Sequence, residues 1–344
     1  MKEKQVTPYK KSKFFLDKKM SMAVYIVVAV IAVICRISQL STNMNFITGK
    51  YIDGNPMKNL TLGVIVIGAV LIGAVLILGE SRDKAVKSCI LLNPMRLKLD
   101  RLVKKISPIA AVGFFSTAAL MAFDVAAPLT MLASENMAIS TEENPVFIFE
   151  GLGGLNLAMY IIMIVCIITF IITGVNVIKG EGITGGNCFF LTSYPIYKLL
   201  HIFYLIGEYQ LIGPYSERVY MMLADMTSAV FMLLLIRFFA GFEKKHTRFL
   251  LIFMAYFSSI ICAVSTIPRF VMFFMLEYKE RGNMLTPELT EIGMIILPVM
   301  VISVFWSAYV YRVMPKLNLT GMRRWKNLQV GNNNGKAEMK DINS

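Results

Sequence analysis

Residues 189–213, FFLTSYPIYKLLHIFYLIGEYQLIG, decide how many times this 344-residue chain is predicted to cross a membrane. As a helix, the segment is long enough to span a hydrocarbon core of about 30 Å. It is nevertheless unusual, because Lys198, His201 and Glu208 interrupt its apolar residues. A lysine at the centre of a span costs about 2.5–3.5 kcal/mol. The case for a crossing therefore depends on the charges that flank the neighbouring segments.

Seven other stretches are apolar runs of membrane-spanning length, and 56% of the chain is hydrophobic, above the roughly 45–50% of a soluble domain. The sequence predicts an all-α, polytopic helical membrane protein with eight transmembrane helices. The predicted spans are about 21–40, 60–79, 106–133, 155–178, 189–213, 219–241, 249–275 and 289–311. They form a single domain over residues 21–311, between a basic N-terminus (1–20) and a basic, partly disordered tail (312–344).

The positive-inside rule favours the eighth span. Residues 1–20 carry seven Lys and segment 80–105 carries eight basic residues against three acidic ones, so both are placed in the cytoplasm. Loop 134–154 has four Glu and no basic residue, and is placed outside. With seven spans, the basic turn at 244–248 and the basic tail would both fall outside. If 189–213 crosses, both return inside, and the N- and C-termini are cytoplasmic.

An amphipathic helix lying on the membrane surface is the alternative structure for 189–213, and it would leave seven spans. On a helical wheel the segment has a polar arc opposite an apolar arc, a pattern that both structures predict. The polar arc holds Tyr194, Tyr197, Lys198, His201, Tyr204 and Glu208. The apolar arc holds Ile196, Leu199, Leu200, Ile202, Phe203 and Ile206.

Ionisable side chains inside predicted spans are candidates for a functional site, because charge is expensive to bury in a bilayer. The candidates are Asp124, Lys198, His201, Glu208, Asp225, Arg269 and Glu291. At a rise of about 1.5 Å per residue, Lys198 and His201 lie near the midplane and the others in the outer half. We expect a polar site open to the outside, on the pathway of a small solute or cation. Its excess of acids favours a cation or protons.

His201 could relay protons, since an unperturbed histidine titrates near neutral pH and Glu208 lies two turns away on the same helical face. A histidine satisfied by a neighbouring tyrosine or carbonyl is the simpler interpretation. Charged residues near helix ends can also simply reach the headgroups. Internal ion pairs that orient helices are a third interpretation, for example Arg269 with Asp225.

These observations leave two hypotheses for function. The first is a permease-like protein, in which His201 and a carboxylate could couple protons. The second is a membrane component without transport activity: a sensor, an assembly factor or the membrane subunit of a larger complex. Both predict a multi-pass protein integral to the cell membrane, whose basic inner segments meet anionic headgroups or a protein partner on the cytoplasmic face. The net charge of +13 does not indicate nucleic acid, because it lies beside the spans.

No catalytic residue, cofactor or metal ligand is predicted, and the chain is not expected to be an enzyme. Residues 180–185 match G-x-G-x-x-G, but they follow a span and no βαβ unit surrounds them. A membrane enzyme with His201 as the base would lack a convincing nucleophile.

Overall fold

The computed structural model of this chain describes residues 14–45, 50–51, 57–82, 108–126, 154–179, 185–207, 215–240, 247–275 and 288–308. The helices in these ranges are α1 (Phe14–Asn43), α2 (Met57–Arg82), α3 (Pro108–Ala126), α4 (Gly154–Lys179), α5 (Gly185–Leu191), α6 (Ser193–Gly207), α7 (Tyr215–Phe239), α8 (Thr247–Met275) and α9 (Leu289–Ala308). Strands β1 (Met44–Asn45) and β2 (Lys50–Tyr51) form a short antiparallel pair after α1, with Met44 opposite Tyr51.

Seven apolar stretches of these helices are long enough to cross a membrane, as in a multi-pass membrane protein. The predicted helical membrane class is therefore confirmed. The stretches are Met20–Thr42, Asn59–Ile77, Pro108–Ala126, Leu155–Lys179, Gly186–Ile206, Arg218–Phe238 and Phe249–Met275. The apolar stretch of α9, Leu289–Ile302, is shorter. Residues 189–206 thus belong to a helical stretch of spanning length, in which α5 leads directly into α6.

Helix α8 lies at the centre and packs against α1, α2, α7 and α9. Its small side chains let neighbouring helices approach closely, as is usual in membrane bundles. The Tyr25 hydroxyl of α1 lies 2.7 Å from Ser259 Oγ, and Ser259 donates in turn to the Ile295 carbonyl of α9 at 3.1 Å. One buried hydroxyl of α8 thereby links three helices.

The remaining helices are joined to α8 through α7 and α9. Helix α7 packs against α6, and α6 packs against α4. Helix α3 contacts α4 through the Phe114 and Phe170 rings, whose centroids are 6.1 Å apart. It contacts α9 through Thr117, whose hydroxyl donates to the Gly293 carbonyl at 3.1 Å. Helices α3, α6, α7, α8 and α9 carry those predicted charged residues that the structure describes.

Candidate functional site

Helix α6 turns four residues of its polar arc into the protein and leaves most of its apolar arc exposed. The enclosed side chains are Tyr194, Tyr197, Lys198 and His201, none more than 4% exposed. The exposed ones are Ile196, Leu199, Phe203 and Ile206, each at least 47% exposed. Ile202, predicted on the apolar arc, is buried. This distribution is the reverse of a helix on a water-soluble protein, and it suits a helix whose outer face meets lipid.

The centre of the site is the carboxylate of Asp225 on α7, which is completely buried. Its Oδ1 lies 2.5 Å from Lys198 Nζ and its Oδ2 lies 2.6 Å from His201 Nδ1. Two residues one turn apart on α6 therefore hold the two oxygens of one carboxylate on α7. Such direct pairing is what allows charges to remain buried in an apolar surrounding.

His201 joins Asp225 to a second carboxylate, that of Glu288, which directly precedes α9. The His201 Nε2 atom lies 2.9 Å from Glu288 Oε1, and Lys198 Nζ lies 3.7 Å from Glu288 Oε2. The Glu288 side chain is 19% exposed, whereas that of Asp225 is fully enclosed. His201 therefore bridges a buried carboxylate and a partly accessible one.

Both ring nitrogens of His201 face carboxylate oxygens at hydrogen-bonding distance. A neutral imidazole has only one N–H, so it can donate to one carboxylate only. The three groups must hold one further proton, on the ring or on a carboxyl, for both contacts to form. Burial by itself would raise the pKa of Glu288, but the positive charges of His201 and Lys198 outweigh burial and lower this pKa well below its usual range. The ionised carboxylate of Glu288 and a doubly protonated His201 fit these contacts together.

Aromatic side chains line the bridge on α6. The rings of Tyr197 and Tyr204 stack on either side of the His201 ring, with centroids 6.1 and 6.0 Å away. One turn before Tyr197, the Tyr194 hydroxyl donates to Ser228 Oγ at 3.3 Å, and Ser228 donates to the Asp225 carbonyl at 3.0 Å. Polar contacts thus continue past the carboxylate of Asp225 along α6 and α7.

A second buried ion pair lies between α8 and α9. Arg269 Nη2 is 2.9 Å from Glu291 Oε2, and both side chains are at most 1% exposed. Arg269 also donates to the Ser265 carbonyl at 2.6 Å and to Ser265 Oγ at 2.5 Å. The Thr266 hydroxyl donates to Glu291 Oε2. The small polar residues of α8 therefore hold this ion pair.

The charges of the two buried groups balance. They comprise three basic residues (Lys198, His201, Arg269) and three acidic residues (Asp225, Glu288, Glu291). The acid excess expected from the sequence is thus absent from the residues that make these contacts. Within the described ranges, no three His, Cys, Asp or Glu side chains are arranged to hold a metal ion.

Asp124 lies apart from these ion pairs and contacts the beginning of α9. Its Oδ1 accepts the Leu289 N–H at 3.0 Å, and its Oδ2 accepts the Thr290 N–H at 2.6 Å and the Thr290 hydroxyl at 2.5 Å. The carboxylate of α3 therefore caps a different helix.

Sequence reasoning named six of the seven charged residues that form the two ion-pair groups and the cap of α9. It missed Glu288, although two glutamates one turn apart at a helix start were visible in the sequence. It also paired Arg269 with Asp225, and this example was wrong, because Arg269 contacts Glu291 instead. Glu208, the expected relay partner of His201, lies outside the described residues, and Asp225 and Glu288 are the acids found on the ring.

A further polar cluster, unnoticed in the sequence, joins α1, α2 and α7. Buried Arg36 donates to Gln39 Oε1 at 2.8 Å, and the same oxygen accepts the Thr61 hydroxyl at 3.1 Å. The guanidinium carbon of Arg36 lies 4.1 Å from the centre of the Tyr220 ring. A cation over an aromatic face is a stabilising arrangement at such a desolvated position.

No protein-family model matches the chain, and no curated protein or solved structure matches it.

Proposed function

We propose that this chain is a proton-coupled, permease-like protein of the cell membrane that takes a small solute at a polar site in the outer half of the bilayer. The observation that carries the proposal is the His201 bridge between fully buried Asp225 and partly exposed Glu288. Ionisable groups at membrane depth are costly and typically belong to ion or proton pathways.

The proposal includes eight spans, with both termini in the cytoplasm. The inward-facing polar arc of α6 supports a crossing at 189–213, because a surface helix would turn Lys198 and His201 toward the headgroups. The charge asymmetry of the flanking segments supports the same topology. In this orientation α6 runs outward and α9 begins at the outer side, so Glu288 lies nearest the outside.

The cluster offers a stepwise route for a proton. His201, protonated on both ring nitrogens, releases its Nδ1 proton to Asp225, with which that atom is in hydrogen-bonding contact. The neutral ring then turns its bare nitrogen toward Glu288 and regains a proton that this carboxylate has taken up from the outer side. Neutralisation of Asp225 leaves Lys198 with only the carboxylate of Glu288, 3.7 Å away, and a buried cation with weakened pairing is unfavourable. Helices α6 and α7 then favour another arrangement, which couples the proton to a conformational change.

The balanced charges bear on the cargo. A site with three basic and three acidic residues has no net electrostatic attraction for a metal cation. A proton, by contrast, can move along a connected series of titratable side chains. We therefore propose a proton as the coupling ion and a small polar solute, rather than a larger cation, as the cargo.

The experiment is proton uptake into proteoliposomes that contain a pH-sensitive dye, under an inside-negative potential. Uptake is measured without solute and with a panel of amino acids, sugars and nucleosides. We expect uptake in the parent protein and its loss in His201→Gln and Asp225→Asn. His246→Gln is the matched control, because it removes the other histidine of the chain and should retain uptake.

Proton uptake no greater than in protein-free vesicles would contradict the proposal, as would unchanged uptake in His201→Gln. Either result favours the second candidate function, a membrane sensor, assembly factor or subunit. The observation behind that candidate is that each charge of the cluster already has an opposite charge beside it, as a static structural role requires. Its basic inner segments would then bind anionic headgroups or a cytoplasmic protein partner, which co-purifies in mild detergent.

A further inference from the structure

Among the described residues, the hydrogen-bond acceptors for the first turn of α9 come from another helix. The first N–H groups of a helix have no partner within the helix, and a short polar side chain just before it usually accepts them. Glu288 occupies that position in α9. Its carboxylate, however, contacts His201 at 2.9 Å and lies 3.7 Å from Lys198. The side chain nearest to the helix start is therefore engaged on another helix.

Asp124 of α3 supplies these acceptors. Its two oxygens accept the N–H groups of Leu289 and Thr290 at 3.0 and 2.6 Å, and the Thr290 hydroxyl at 2.5 Å. A negative charge at a helix N-terminus is also favoured by the helix dipole. Two carboxylates thus share the beginning of α9: Asp124 binds its backbone, and Glu288 reaches into the charge cluster.

Backbone contacts between α3 and α9 continue below this cap. Thr117 donates to the Gly293 carbonyl at 3.1 Å. A Cβ placed on Gly293 would lie 2.9 Å from Thr117 Cα, and one on Gly113 would lie 3.2 Å from Leu297 Cα. Gly113, Thr117 and Asp124 are four and seven residues apart, and so lie on one face of α3. Helix α3 therefore holds α9 along several turns, up to the residue beside Glu288.

We propose that Asp124 is a positioning residue, which caps α9 from the neighbouring helix so that Glu288 is free to pair with His201 and Lys198. This role replaces the sequence-based expectation that Asp124 lines the solute pathway. The inference rests on the proposed function because the His201–Glu288 contact is the outer step of the proton route. The cap and its effect on His201 are nonetheless measurable without transport.

The test is the protonation of the His201 ring, read by ¹⁵N NMR in lipid nanodiscs. The chain has two histidines, so a His246→Gln background leaves His201 as the source of the ring signal. The ratio of doubly to singly protonated ring is measured at the pH where the background protein has equal amounts of both. Asp124→Ala should lower this ratio about tenfold. The reason is that α9 loses its cap, so Glu288 is no longer held beside His201 and stabilises the doubly protonated ring less. Asp124→Asn keeps a side-chain oxygen that can accept from the α9 backbone, so this variant should retain most of the doubly protonated ring.

A double-mutant comparison separates positioning from a general loss of structure or charge. In a Glu288→Gln background His201 has already lost its charged partner at Nε2 and keeps Asp225 at Nδ1. Asp124→Ala should therefore lower the ratio no further. If Asp124→Ala protein cannot be recovered, Asp124→Asn combined with Thr290→Val weakens the cap and enters the same comparison.

An unchanged ratio in the weakened-cap variant would overturn the proposal. An equal fall with and without Glu288→Gln would also overturn it, because the effect would not pass through Glu288. A third outcome separates the two proposals. If the parent protein shows no proton uptake in vesicles but the cap variants lower the His201 protonation ratio as expected, the transport function is contradicted and the positioning role of Asp124 is supported.

Discussion

Lys198 and Asp225 show at the scale of single residues why the polar arc of α6 faces inward. Their side chains are 1% and 0% exposed and their charged atoms are 2.5 Å apart. A buried charge is tolerated when an opposite charge compensates its lost hydration, but the pair itself adds little net stability. Removing one partner is expensive because the other charge is left behind. The cluster is therefore retained at a cost, as expected for a functional site.

This reasoning predicts opposite effects of single and double substitutions at the pair. Asp225→Asn leaves the Lys198 cation with only the more distant carboxylate of Glu288, at 3.7 Å. The substitution should lower the free energy of unfolding by about 3–5 kcal/mol. Combining it with Lys198→Met removes the stranded charge and should recover most of that loss, while proton uptake stays abolished. Equilibrium unfolding in lipid bicelles measures both variants. A double variant no more stable than Asp225→Asn would show that the ion pair does not determine stability here.

The elements show which parts of the site the sequence could predict. The period of α6 predicted its two arcs, because helical spacing alone determines which side chains share a face. The partners across helices could not be predicted, because they depend on helix rotation and packing. Arg269 was accordingly matched to Asp225 although it contacts Glu291. Glu288 was missed because it precedes an apolar run, where a carboxylate normally meets water.

The contact between α3 and α9 predicts a steric effect with a matched control. A Cβ on Gly293 would approach Thr117 Cα to 2.9 Å, whereas a Cβ on Gly63 of α2 meets nothing within 4 Å. Gly293→Ala should therefore lower the free energy of unfolding by about 1–3 kcal/mol, the usual cost of overpacking. Gly63→Ala should be neutral or slightly stabilising, because alanine favours helix. Equal effects of the two substitutions on thermal stability in nanodiscs would contradict the close approach.

At the scale of the whole molecule, the charge cluster and the basic segments both require that the stretch Gly186–Ile206 crosses the membrane. The cluster lies at membrane depth only if the stretch Gly186–Ile206 crosses the bilayer. The same crossing returns the basic turn at 244–248 and the basic tail to the cytoplasm. A local feature, the buried polar arc of α6, and a global one, the distribution of positive charge, thus support one topology.

The most direct measurement is the sidedness of the two ends of this stretch. Single cysteines replace Thr184 and Gln210 in a chain without its five natural cysteines, and a membrane-impermeant thiol reagent is added to intact cells. Our account predicts labelling of position 210 from outside, and of position 184 only after the membrane is permeabilised. Labelling of both positions from the same side would contradict it, since Lys198 and His201 would then lie at the surface and not in a membrane-embedded proton route.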